Sequence, residues 1–216
     1  MTAQKIQKAV GLINRHHLLI VFPDRNRPQP KSLWSLLHPK IPMLWEWSDE
    51  GDDRVLQMWN LMKRLSEDRR VIYLKWYKGR ATFISQDLFT ALLCLSKAHS
   101  SKLSASAKEI LSILESDSPL STREVKTLAD LRGKDNEPEY HRAMKLLFQN
   151  FLIVGCGEVD DGAFPSLAVG ATQNIYEELW NAASKMNVQK AWSLVDQVMP
   201  KGSDFRKFLD RTSEKF

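Results

Sequence analysis

Twice along this chain the hydrophobic pattern changes from helical to alternating, and a polypeptide written that way must fold into helices packed on short β-ribbons. Val55, Met58, Trp59, Met62 and Leu65 recur at helical spacing, with Arg54, Lys63, Arg64 and Glu67 pointing away. Four acidic residues within 48–53 precede them and suit the positive end of a helix dipole. At Val71 the period becomes two. Ile72, Leu74 and Trp76 take one face, Val71, Tyr73, Lys75 and Tyr77 take the other, and Lys78-Gly79 supplies the turn before residues 81–84 return. Ser85 then caps a helix through Ala98, with Ile84 and Phe89 placed as a hydrophobic staple.

The second change follows three helices. Ser106 with Glu109, and Ser121 with Glu124, each match the spacing of a capping box, and Leu120 and Val125 are placed to staple the second. After Arg132-Gly133-Lys134 a third helix is expected over residues 137–149. Tyr140, Ala143, Met144, Leu147 and Phe148 face inward there, with His141, Arg142, Lys145 and Gln149 outward. Residues 151–159 and 164–169 then form a ribbon around Asp160-Asp161-Gly162. Elsewhere, residues 3–15 predict a helix with Ile6, Val10 and Ile13 inward. The segment 23–42 holds five of the nine prolines and reads as a loop with at most a short helix at 32–37. Residues 174–216 read as two or three helices broken at Pro200-Lys201-Gly202.

This order predicts an α+β fold, mostly α: tandem winged-helix units, each a helix-turn-helix with a β-hairpin wing, followed by C-terminal helices. The divisions are residues 1–103, a basic winged-helix-like unit; 104–172, a second winged-helix unit; and 173–216, a helical extension. Trp34, Trp45, Trp47 and Trp59 are expected in the N-terminal core, and Trp180 and Trp192 as anchors of the C-terminal helices.

Charge is unevenly divided. Residues 1–103 carry seventeen Lys/Arg against nine Asp/Glu, whereas residues 104–172 carry seven against eleven. A polyanion would therefore meet the first unit and be repelled by the second. The candidate contacts are Arg64, Arg69 and Arg70 at the helix end, Lys75, Tyr77, Lys78 and Arg80 around the first turn, and Arg142 and Lys145 on the outer face of the third helix of the second unit. Basic side chains neutralise phosphate and aromatic rings stack on bases. Each also has a structural reading, since arginines complement a helix C-terminus and rings fill cores.

Other chemistry is sparse. The chain has no Gly-x-Ser-x-Gly elbow, no phosphate loop and no His-Glu-x-x-His pair, so no catalytic residue is assigned. Cys94 and Cys156 belong to no CxxC or Cys/His cluster and read as packing residues, which predicts neither metal nor cofactor. The longest apolar runs are far shorter than the ~20 residues of a spanning helix. The expectation is a cytoplasmic protein with no membrane partner.

The strings Ile41-Pro-Met-Leu-Trp-Glu-Trp47, Trp76-Tyr-Lys-Gly-Arg-Ala-Thr-Phe-Ile-Ser85, and Pro119-Leu-Ser-Thr-Arg-Glu124 followed by Arg132-Gly-Lys134 resemble the bacterial tandem winged-helix family. That family includes the alkylpurine and interstrand-crosslink DNA glycosylases. The resemblance covers residues 30–170 and implies double-stranded DNA as the ligand. Those glycosylases are similar in using a Gln-x-Gln or related polar pair to position a hydrolytic water. This chain has no Gln-x-Gln, and Gln29 is the only glutamine of its proline-rich segment. The reading favoured here is therefore a DNA-binding winged-helix protein, acting as a transcriptional regulator or DNA-repair accessory rather than as an enzyme. The alternatives are a divergent glycosylase removing alkylated bases, and an interaction module that offers its acidic second unit to a protein partner.

Overall fold

The computed structural model describes residues 2–44, 53–96 and 103–213. Trp45, Trp47, the acidic residues before Asp53 and the expected end of the helix at Ala98 lie outside them. In chain order the elements are α1 (Ala3–His16), β1 (Leu18–Ile20), α2 (Leu33–Leu37), α3 (Arg54–Glu67), β2 (Val71–Leu74), β3 (Thr82–Ser85), α4 (Gln86–Ser96), α5 (Ala105–Ser116), β4 (Leu120–Ser121), α6 (Thr122–Leu128), α7 (Glu137–Gln149), β5 (Ile153–Val159), β6 (Ser166–Ala171), α8 (Thr172–Ile175), α9 (Glu177–Lys185), α10 (Val188–Val198) and α11 (Asp204–Ser213). The fold is α+β and mostly helical.

Both expected ribbons exist, β2–β3 and β5–β6, but neither stands free in solvent. They are the middle of one six-stranded antiparallel sheet in the order β1-β3-β2-β5-β6-β4. The alternation at residues 71–74 sorts side chains correctly, yet both faces are covered. Ile72, Leu74 and Ile84 join a core with α4, α5, α7 and the C-terminal helices. Val71, Tyr73 and Phe83 join a second core with α1, α2 and α3. The apolar run before Phe22 supplies β1, which pairs with β3 at Leu18↔Ile84 and Ile20↔Thr82.

The two ribbons meet at a single point, where Tyr73 of β2 is opposite Gly155 of β5. A Cβ at Gly155 would overlap the Tyr73 ring, so any larger residue here would have to displace that ring. Beyond it β5 shifts register between Gly155 and Glu158, and Gly157 takes φ +105°, a left-handed conformation that suits glycine.

Several local expectations need correction. Helix α5 is capped by Ser104, whose hydroxyl accepts from the Ala107 amide at 3.3 Å, and not by Ser106, whose hydroxyl instead meets the Glu139 carboxylate. The Ser121/Glu124 box at α6 is complete in both directions, at 3.1 and 2.8 Å. Trp59 faces outward from α3 and is 45% exposed, while Val55, Met58, Met62 and Leu65 bury as expected. The alternating strand ends at Leu74. Residues 77–79 form one tight helical turn with Lys78 and Gly79 at φ 53° and 74°. That turn swings Tyr77 inward, to 2% exposure, between Phe205 and Phe208 of α11 at ring separations of 5.0 and 5.2 Å. Trp180 and Trp192 pack on the main core. Among the described residues no helix is long and apolar enough to cross a membrane.

Candidate nucleic-acid interface

Joining the ribbons edge to edge brings the turn after β2 against α6, α7 and β6, and between them opens a cleft of about 520 Å³. Lys75, Lys78, Arg123, Lys126 and Lys145 line it, and no carboxylate does among the described residues. The floor is apolar, made by Met144 and Phe148 of α7 with Leu167 of β6.

Each cation is placed by an identifiable local rule. The capping box fixes where α6 starts, so Arg123 and Lys126, three residues apart, share its cleft side. On α7 the inward residues Tyr140 and Met144 leave His141 and Lys145, four apart, along the rim. Lys75 follows the last residue of β2, and Lys78 occupies the left-handed position of the turn.

These cations differ in their engagements. Lys126 donates to both Glu137 oxygens at 2.9 and 2.6 Å, and its ammonium stands 4.7 Å from the centre of the Tyr140 ring. That hydrogen bond, with the charges of Lys126 and His141, holds the Glu137 carboxyl below its usual range. The Tyr140 hydroxyl donates to the Thr122 carbonyl at 3.0 Å, and burial raises its pKa. Arg123 donates to the Asp161 carbonyl and rests where a side chain on Gly162 would have to go. Lys78 lies 3.7 Å from Asp24 and 4.9 Å from the centre of the Tyr77 ring. Lys75 and Lys145 have no ion pair among the described residues. Desolvation lowers the Lys75 pKa, against a weaker opposing pull from Glu158, although the residue as a whole is exposed. Next to Arg123, the loop between β5 and β6 projects Phe164, 81% exposed.

Of the residues singled out from sequence, Lys75, Lys78 and Lys145 converge here, from units expected to have opposite electrostatic character. The acidic residues of the second unit do not line the cleft among the described residues, although Glu137 of α7 pairs with Lys126 and His141 on its rim. The other candidates lie apart. Arg80 pairs with Asp24 at 2.6 Å and does not line the cleft. Tyr77 has no free ring face. Arg64 lines a separate groove of about 680 Å³ with Lys5, Lys8 and Lys63, and pairs with Glu67 at 3.3 Å. Arg70 is held by Asp68 at 2.5 Å and by Gln7 at 2.6 Å. Arg69 donates to the Ile175 carbonyl and stacks 5.8 Å from the centre of the Tyr176 ring, pinning the C-terminal helices to the sheet. Arg142 is exposed on α7 outside the cleft wall.

Sequence reasoning missed Arg123, Lys126, His141 and Phe164 as site residues. The capping box contained a signal for the first two, since the residues two and five positions after the Ser121 cap are three apart on one helix and share a face. Gln29 lines a third depression, of about 710 Å³, with His16, His17 and Lys31. There burial, then the charges of Lys31 and Arg15, lower the His16 pKa. Among the described residues no group of His, Cys, Asp and Glu is placed to hold a metal ion.

No curated protein and no solved structure matches this sequence. One family model does, over residues 3–202 and therefore through both ribbons, every wall of the cleft and the first three C-terminal helices: the chain belongs to the AlkZ-related family.

Proposed function

We propose that this protein binds double-stranded DNA in the service of DNA repair, and that the duplex backbone lies across the cleft between the β2–β3 turn and α6–α7. The observation that carries this reading is the convergence of Lys75, Lys78, Arg123, Lys126 and Lys145 on one cleft, their carboxylate partners Asp24, Glu137 and Asp161 lying outside its lining. Cations gathered in this way release counterions from phosphate, which is the dominant sequence-independent term in duplex binding. Relation to the AlkZ glycosylases supports DNA as the ligand class. In this reading residues 1–103 and 104–172 act as tandem winged helices, α7 is the helix nearest the groove, and Phe164 on the second ribbon's loop meets the minor groove or a base step.

The test is duplex binding at two or more salt concentrations. Replacing Lys75, Lys78 and Lys145 together with Ala should weaken binding and reduce the slope of log affinity against log salt by about 0.9 for each phosphate that is no longer neutralised. A slope equal to that of the wild type would remove the cleft from the interface. Family membership also favours a second reading, a divergent glycosylase. Release of a modified base from an alkylated duplex by the wild type would establish it.

A further inference from the structure

A second concavity, of about 680 Å³, opens where α1 meets α3. Lys5 and Lys8 enter it from α1, one turn apart, and Lys63 and Arg64 from α3. Cations from two helices thus face one space, and among the described residues no carboxylate lines it. Their engagements are uneven. Lys63 lies 3.8 Å from Glu158 and Arg64 lies 3.3 Å from Glu67, whereas Lys5 donates to the neutral Gln57 side chain at 3.3 Å and Lys8 has no ion pair among the described residues. Like charges gathered without a counter-charge repel one another, and an anion entering the groove removes that cost.

This groove adjoins the cleft. Glu158 on β5 stands across the ladder from Leu167, part of the cleft floor, and its carboxylate is the partner of Lys63 in the groove wall. Only 12% of the Glu158 side chain is exposed, so its charge is directed at Lys63 rather than at a ligand. One residue thus ties the two basic surfaces together through the sheet. The groove runs beside α3 from Gln57 to Arg64, about 10 Å at ~1.5 Å per residue. That length matches about three nucleotides of one strand, at ~3.4 Å each.

We propose that the α1–α3 groove is a second phosphate-binding site, which holds about three nucleotides of the same duplex's backbone beyond the cleft, with Lys5 and Lys8 as its principal contacts. The inference rests on the DNA reading of the cleft and extends the contact surface to residues which that reading leaves out. A linear polyanion suits two cationic hollows in series. Phosphates recur along it at a fixed spacing, so a strand neutralised in the first hollow has its next charges in place for the second. A small anion would fill one hollow and gain nothing from the other. Gln57 and Asn60 offer amide donors along the same wall.

The experiment measures duplex binding by the full chain over a range of salt and maps the bound strand by hydroxyl-radical protection. Lys5 and Lys8 are exposed on a helix, so Lys5→Ala with Lys8→Ala leaves the core intact. This pair should lower the slope of log affinity against log salt by about 1.8, ~0.9 for each phosphate, and shorten the protected stretch of one strand by about three nucleotides. Lys185→Ala with Lys190→Ala removes the same charge from α9 and α10 and should keep the wild-type slope and footprint. Equal losses in both pairs would show that net charge alone acts, and would overturn the proposal. So would an unchanged slope or footprint for the Lys5 and Lys8 pair, and a cleft variant that still binds more weakly would then leave the DNA reading standing. Failure of the wild type to bind any duplex would overturn both.

Discussion

Two residues show how local chemistry decides what the larger structure can do. Ser121 is buried, and its hydroxyl and amide exchange hydrogen bonds with Glu124 at 3.1 and 2.8 Å, so one side chain sets both the end of β4 and the start of α6. Ser121→Ala leaves the Glu124 amide without its partner and should destabilise the protein by about 0.5–2 kcal/mol in urea titration. It should also loosen Arg123 and Lys126, which take their direction from that helix start. Tyr77 makes the opposite point. Alternation grouped it with Lys75, but a residue belongs to a strand face only while the strand lasts, and this one ends three positions earlier. With its ring enclosed by Phe205 and Phe208, Tyr77→Ala should cost about 3–5 kcal/mol, the range for emptying a large aromatic site. A stable variant with weakened duplex binding would mean that the ring reaches the ligand instead.

At the scale of elements, what could be read in the sequence was whatever depends on near neighbours. The helical stripe of α7, the proline-delimited α2, both ribbons and the α6 cap are each written within a short local stretch, the longest being the ribbon from Ile153 to Ala171, and the chain adopts them. Pairing between distant strands is not written that way. Nothing near Val71 announces that β2 will find β5, because that pairing depends on a glycine more than eighty positions later receiving an aromatic ring. The joint can be tested as a pair. Gly155→Ala forces a methyl group into the Tyr73 ring and should destabilise by about 1–3 kcal/mol. Tyr73→Leu in the same chain should give back part of that loss, since the two sites share one space. Full additivity in denaturant titration would show that the ring and the glycine do not compete. The site was half legible for the same reason: the residues Lys75, Lys78 and Lys145 could be named, but their meeting follows from the sheet, which no local pattern encodes.

Over the whole molecule, burial of ionisable groups that are neutral at physiological pH makes stability one-sided in pH. Burial pushes the Cys156 thiol up from 9.0 to about 11, with Arg69 opposing. It also raises Tyr73, Tyr140 and Tyr176 above their ordinary value of 10.0. Each of these groups binds its proton more tightly in the folded chain than in the unfolded one. Their contribution is therefore complete below the unfolded values and is lost as pH rises toward the folded ones. Lys75, lowered by desolvation, acts in the reverse sense, because the unfolded chain then binds the extra proton and stability rises with pH. It is one exposed side chain against three buried tyrosines and a partly buried thiol, so the balance on the alkaline side is loss. The urea midpoint should fall between pH 9 and 11, beginning with Cys156 and steepening above pH 10 as the tyrosines contribute. Cys156→Ala should remove the earlier part of the fall. Phenolate absorbance should lag behind that of free tyrosine and appear together with unfolding rather than before it. Smooth titration of the phenols in a protein that stays folded would show that these rings are not enclosed by the two cores described here.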